Sequence, residues 1–251
     1  MTRLVSGVVL AAAALAAIWF LPLFALRVIA CLVAALAAHE YLRVASGSAP
    51  LPVMGLVALN CWVVSSPGDG MVVLLLALGW VAVEVLWGNV PIQQAAARFL
   101  APWYIGMPLG MLVAVHGAAG EWATLVLIGT VVVSDSAQYY TGRAFGRRPL
   151  APAISPKKTI EGAIGGLLFG TLFLAIAGPW ALGAGVVPMA LLGLAVATLG
   201  ICGDLFESRL KRASGVKDSS SLIPGHGGVL DRIDALLFAI PAFYLFLRGT
   251  P

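Results

Sequence analysis

Charge is sparse in this sequence. Only 15 Lys/Arg and 11 Asp/Glu stand among 251 residues, 10% of the chain, where a soluble domain carries about 25%. So few ionised groups cannot clothe a water-facing surface, which excludes an ordinary soluble domain. An apolar content of 61% and a mean hydropathy of +0.99 exclude disorder. Cysteine is scarce too. Cys31, Cys61 and Cys202 stand far apart with no CxxC or Cys/His spacing, which excludes a disulfide framework. Short segments of alternating hydrophobicity are missing, which argues against a membrane β-barrel. No repeat of 20–50 residues and no low-complexity tail is visible. What remains is a series of long apolar runs, and in lipid only helices then satisfy every backbone group. The expected fold class is all-α: a polytopic helical integral membrane protein with about nine transmembrane helices.

The runs place spans at about 4–21, 24–42, 51–66, 70–87, 99–116, 121–141, 160–180, 186–205 and 231–248. Pro52, Pro67, Pro91, Pro149, Pro156 and Pro224 punctuate the connections. The first run, behind Arg3, also fits a signal peptide, but Pro22 leads straight into another apolar run and no cleavage site is evident, so it reads as a retained span. Basic residues orient the chain. With the N-terminus in the cytoplasm, every Lys and Arg except Arg27 and Arg248 falls inside, giving an N-in, C-out topology. Two loops, 142–159 and 206–230, then hold the chemistry on the cytoplasmic side. Residues 1–95 read as N-terminal scaffold helices and 96–251 as the catalytic region.

The densest polar segment runs from Ser208 to Asp234. Arg209, Lys211, Arg212, Lys217 and Arg232 flank a turn containing Gly225, His226, Gly227 and Gly228. Glycines permit positive φ and close approach of backbone to a ligand, and amide-lined turns suit phosphate oxygens. Asp231 and Asp234 are three residues apart and share a helix face. Asp204 closes the preceding span, and Asp218 lies between the basic groups. Carboxylates beside cations at a membrane boundary suit a metal–polyphosphate site. The plainer reading makes the cations topology markers and the aspartates their partners. For the aspartates the functional reading is favoured, because ionisable groups at membrane depth are costly.

A second segment runs from Ser134 to Gly162. Asp135, Tyr139 and Gly142 share one helical face, which puts Asp135 as a buried polar group in a span. Ser155-Pro156-Lys157-Lys158 places two ammonium groups just before the next span. Thr159 is suited to cap that helix, beside Glu161, with Gly162, Gly165 and Gly166 allowing close packing. Weaker candidates are His39-Glu40, which either line the site or form a hydrogen-bonded pair at the interface, and Glu84.

The stretch from Ser208 to Asp234 resembles the signature of the phosphatidate cytidylyltransferase (CDP-diacylglycerol synthase) family at Ser208, Leu210, Lys211-Arg212, Lys217-Asp218, Ser220, Ile223-Pro224, His226-Gly227-Gly228, Asp231-Arg232 and Asp234. The 134–162 segment resembles that family's second cytoplasmic motif, with Arg147-Arg148 where lysine-containing variants are expected. The resemblance implies transfer of the cytidylyl group of CTP to phosphatidic acid, giving CDP-diacylglycerol and pyrophosphate. It implies Mg²⁺, with a second cation such as K⁺, and a multi-pass protein of the inner (plasma) membrane with its site facing the cytoplasm. On this reading Asp204 and Asp231 are the metal ligands. Asp234 and Lys211 complete the catalytic set. Lys157, Lys158, Arg212, Lys217, Arg232 and the turn Gly225–Gly228, His226 included, contact phosphate. Asp135, Asp218, Ser155 and Glu161 are further candidates. The expected partners are CTP, phosphatidic acid and the bilayer, and the Gly-rich helix faces are compatible with a homodimer. Nucleic acid is not expected, since the pI of 9.2 arises from topology-determining loops. Rivals stand beside this reading: a CTP-dependent lipid-alcohol kinase or a cytidylyltransferase for a different lipid phosphate, either sharing the basic loops, and a transporter using Glu40, Glu84 and Asp135.

Overall fold

The computed structural model describes residues 2–66, 71–88, 90–223, 225 and 227–249. Among them are nine α-helices and one small hairpin. The helices are α1 (Thr2–Phe20), α2 (Leu23–Ser46), α3 (Leu51–Val64), α4 (Met71–Leu86), α5 (Ile92–Ala101), α6 (Met107–Phe145), α7 (Ile160–Leu182), α8 (Val186–Ala213) and α9 (Leu230–Gly249). A π-helical turn, Pro102–Gly106, joins α5 to α6. Strands β1 (Pro149–Ala151) and β2 (Ser155–Thr159) pair antiparallel between α6 and α7.

Among the described residues, four helical stretches are long and apolar enough to cross a membrane: Leu23–Ser46, Ile92–Phe145, Ile160–Leu182 and Val186–Ala213. The apolar stretches Ser6–Phe20, Leu51–Val64 and Met71–Leu86 are shorter. The fold is thus that of a helical membrane protein. Between the expected spans at 99–116 and 121–141 the chain breaks at Gly120, whose φ of 78° and ψ of −172° interrupt α6. His116 Nδ1 and Thr124 Oγ1 lie 3.3 Å apart across that break.

Two expected loops are partly helix. The 206–230 connection stays helical through Ala213, so Ser208, Arg209, Lys211 and Arg212 belong to α8. Lys211 pairs with Glu207 one turn earlier, and the cations of the last turn face the negative end of the helix dipole. The 142–159 connection begins as α6 and continues as the β hairpin, which hydropathy does not reveal.

The chain divides into two compact units. One comprises residues 1–114 with 213–233, the other 115–212 with 234–251. In the first, Arg98 of α5 pairs with Glu84 of α4 and donates to Ser48 Oγ at 2.8 Å. Both charged residues are buried, so the pair compensates charge where water is scarce. Asn60 Nδ2 donates to the Pro102 carbonyl at 2.8 Å, anchoring α3 to the π turn.

In the second unit, glycine sets the spacing of α6 and α7. A Cβ on Gly162 would sit 2.7 Å from the Gln138 carbonyl oxygen and 3.2 Å from Gly142 Cα, and one on Gly165 would strike the Thr141 side chain. Thr159 Oγ1 caps α7 by accepting from Gly162 N at 3.1 Å, as its position before the apolar run predicts. Backbone atoms cannot step aside for a methyl group. Gly162→Ala is therefore expected to lower stability by about 1–3 kcal/mol, read as a lower unfolding midpoint in detergent. Replacing exposed Ala144 by Ser is the matched control expected to leave it unchanged.

Candidate active site

A cavity of about 530 Å³ opens in the second unit. Helix α6 lines it with Asp135, Gln138, Tyr139, Gly142 and Arg143, β2 with Lys157, Lys158 and Thr159, and α8 with Asp204. The shared face expected for Asp135, Tyr139 and Gly142 is therefore present. Asp135, expected as a buried polar group, is open to this cavity on one side and enclosed by protein on the other. Gln138 Nε2 donates to Asp135 Oδ1 at 3.1 Å.

The hairpin contributes both lysines to the lining of this cavity. Lys158 pairs with Asp204 Oδ2, and Ser208 Oγ donates to Asp204 Oδ1 at 3.3 Å. The Lys158 Nζ is buried against Asp204 Oδ2, and an ammonium has three N–H donors, more than one such contact uses. Ser155 opens β2 opposite Ala151. Glu161 fixes the approach to the hairpin, its Oε2 accepting from the amides of Arg147 at 3.0 Å and Arg148 at 3.2 Å. Asp234 lies within electrostatic reach of Asp204, Asp135 and Lys211. Close packing of α8 on α9 keeps it there: a Cβ on Gly203 would stand 2.5 Å from the Asp234 carbonyl oxygen. Lys211, expected in the catalytic set, is paired with Glu207, whose side chain is buried. Arg212 is exposed.

The first unit holds the glycine turn. Lys217, Asp218, Ser220, Ser221, Gly225, Gly227 and Arg232 line a polar pocket of about 410 Å³. Ile223 N donates to the Gly227 carbonyl at 2.8 Å, and Gly225 and Gly227 have φ of 77° and 79°. His226 and Pro224 lie outside the described residues. Asp231 Oδ2 accepts from Gly228 N at 2.7 Å and from Ser219 N and Oγ, both at 3.0 Å. The Gly228 amide, expected to face phosphate, is thus engaged by a carboxylate of the chain.

Sequence reasoning passed over Gln138 and Ser219 and gave Glu40 little weight. Glu40 Oε1 accepts from Ser220 Oγ at 2.7 Å and Val229 N at 3.0 Å; Oε2 accepts from Ser219 Oγ at 2.9 Å and Leu230 N at 2.8 Å. The available signal was a carboxylate in an otherwise apolar stretch of α2.

The model of the cytidylyltransferase family matches residues 1–249. The chain belongs to this family. Its relatives include the phosphatidate cytidylyltransferase of Aquifex aeolicus, 47% identical over 123 residues, 49% of this chain and 46% of the relative. That of Haemophilus influenzae is 40% identical over 182 residues, 69% of this chain and 63% of the relative. That of Pseudomonas aeruginosa is 39% identical over 191 residues, 71% of this chain and 69% of the relative. The chain of this family member spans about half to two thirds of the length of the curated relatives it matches.

Proposed function

We propose that the protein transfers the cytidylyl group of CTP to phosphatidic acid, giving CDP-diacylglycerol and pyrophosphate. The observation that carries this reading is the cavity where the buried Lys158 ammonium and the Asp204 carboxylate meet, in a chain whose relatives are named for this activity. A cation beside a hard-oxygen carboxylate suits a polyphosphate, and an apolar chain that keeps its charges in a few places suits a lipid phosphate at headgroup depth. We place the site on the cytoplasmic side, where the basic segments collect.

The residues fit a divalent metal in one specific way. Among the described residues no three carboxylate, imidazole or thiol side chains are grouped to cage an ion. Mg²⁺, however, commonly takes one or two carboxylates and fills its shell with water and substrate phosphate. Asp204 is the ligand we assign, with Asp135 on the same cavity. Mg²⁺ held there would neutralise phosphate charge and stabilise the leaving pyrophosphate.

In the reaction a phosphatidate oxygen attacks the α-phosphorus of CTP. The new O–P bond forms as the bond from the α-phosphorus to the bridging oxygen breaks, and pyrophosphate leaves with that electron pair. The nucleophile needs no general base, because a phosphate monoester with a second pKa of about 6 is already largely dianionic near neutrality. Lys158 and Lys157 oppose the charge that builds on the phosphoryl oxygens, and the hairpin holds both lysines on one strand. Catalysis is then alignment plus charge neutralisation. The transport reading loses two of its three groups, since Glu84 is paired with Arg98 and Glu40 is held by four hydrogen bonds.

The test is pyrophosphate release by purified protein in detergent with CTP and Mg²⁺. It is expected to require added phosphatidic acid. Release at the same rate without lipid, or none with it, overturns the reading.

A further inference from the structure

We propose that Glu40 is a positioning residue. From α2 it sets the glycine turn and the first turn of α9 so that Lys217, Ser220 and Arg232 face one phosphate-binding pocket. Glu40 is only 3% exposed and makes no ion pair among the described residues. Its compensation is four hydrogen bonds, two from hydroxyls and two from amides, donated by residues about 180 to 190 positions away in sequence.

Those four donors fall at both ends of the polar loop. Ser219 and Ser220 stand just after Lys217, and Val229 and Leu230 just before Arg232. One carboxylate therefore closes a loop of some ten residues at its base. Ser219 Oγ lies 2.9 Å from Glu40 Oε2 and 3.0 Å from Asp231 Oδ2, and its single proton serves one of them at a time. A side chain on Gly228 has no room: its Cβ would stand 2.1 Å from Ser219 Oγ and 2.3 Å from Glu40 Oε2. Ser220 links the two functions, since its hydroxyl donates to Glu40 while the residue lines the pocket.

The N-terminal amides of a helix ordinarily attract anions. Here Gly228 N is taken by Asp231, and Val229 N and Leu230 N by Glu40. An anion entering the pocket therefore meets Lys217, Arg232 and the Ser221 hydroxyl, beside the Asp218 carboxylate, in place of these amides. Glu40 acts on phosphate only through the groups it orders. This inference rests on the proposed reaction and adds to it that this pocket takes phosphate of the nucleotide.

The test compares the full-length protein with Glu40→Gln and Glu40→Asp. Gln keeps the length but turns an N–H₂ toward donors, and Asp keeps the charge but is one methylene short. Three quantities are measured: hydrogen exchange of the 217–230 segment, equilibrium binding of inorganic pyrophosphate, and KM for CTP against kcat. Glu40→Gln is expected to speed exchange at 228–230. It should weaken pyrophosphate binding and raise the CTP KM by about 10- to 100-fold, the scale of a small misplacement of binding groups, with a smaller change in kcat. Glu40→Asp should fall between Gln and wild type. Wild-type exchange and binding in Glu40→Gln would overturn the inference. A lowered unfolding midpoint with unchanged pyrophosphate affinity and CTP KM would overturn it equally, since that is a purely structural role. Should wild-type protein show no lipid-dependent turnover, the reaction fails, and exchange with pyrophosphate binding still decides the role of Glu40.

Discussion

Asp204→Asn is expected to cut phosphatidate-dependent turnover of CTP by about 10²–10³-fold or more, the scale seen when one preorganised electrostatic group is removed. The substitution preserves shape. An asparagine oxygen still accepts from Ser208 Oγ, but the charge that opposes Lys158 is gone. A neutral amide is also a far weaker ligand for Mg²⁺, so raising Mg²⁺ should restore part of the rate without reaching wild type. The measurement is initial rate against Mg²⁺ concentration, beside the unfolding midpoint in detergent. A variant that stays folded and turns over at the wild-type rate under saturating Mg²⁺ would remove Asp204 from the metal assignment.

Lys158→Met should produce the second-largest loss, about 10²-fold in kcat/KM. Methionine fills the stem volume and removes only the ammonium. Lys158→Arg is expected to recover little, because a planar guanidinium cannot occupy the place of a compact ammonium against Asp204. Recovery by arginine to near wild-type rates would show that any positive charge near the cavity suffices.

The scaffold was legible to different depths. Long apolar runs marked α2, α7 and α8, because a membrane helix writes its length directly into hydropathy. Thr159 and the glycines after it announced both a cap and a close helix contact. The hairpin was not legible, since strands of three and five residues leave no period to read. The helical extension of α8 to Ala213 was hidden by its charges. They resemble a loop by composition, yet they sit at the end of a helix whose dipole favours them.

The candidate site divides in the same manner. Asp135, Lys157, Lys158 and Asp204 were named from sequence, and one cavity collects them. Asp231 was named for metal, and its Oδ2 is occupied in fixing Gly228 and Ser219. Glu40 was the harder case. Its partners stand some 180 residues downstream, and a lone carboxylate in an apolar helix does not say which loop it will meet. Long-range pairing is what local pattern leaves out.

The fate of label tests the central claim most directly. Purified protein is incubated with phosphatidic acid, Mg²⁺ and CTP labelled at either the α- or the γ-phosphate, and the lipid fraction is counted. Cytidylyl transfer predicts α-label in the lipid and γ-label released as pyrophosphate. Lipid carrying γ-label, with α-label left in CDP, would contradict the account and identify a kinase.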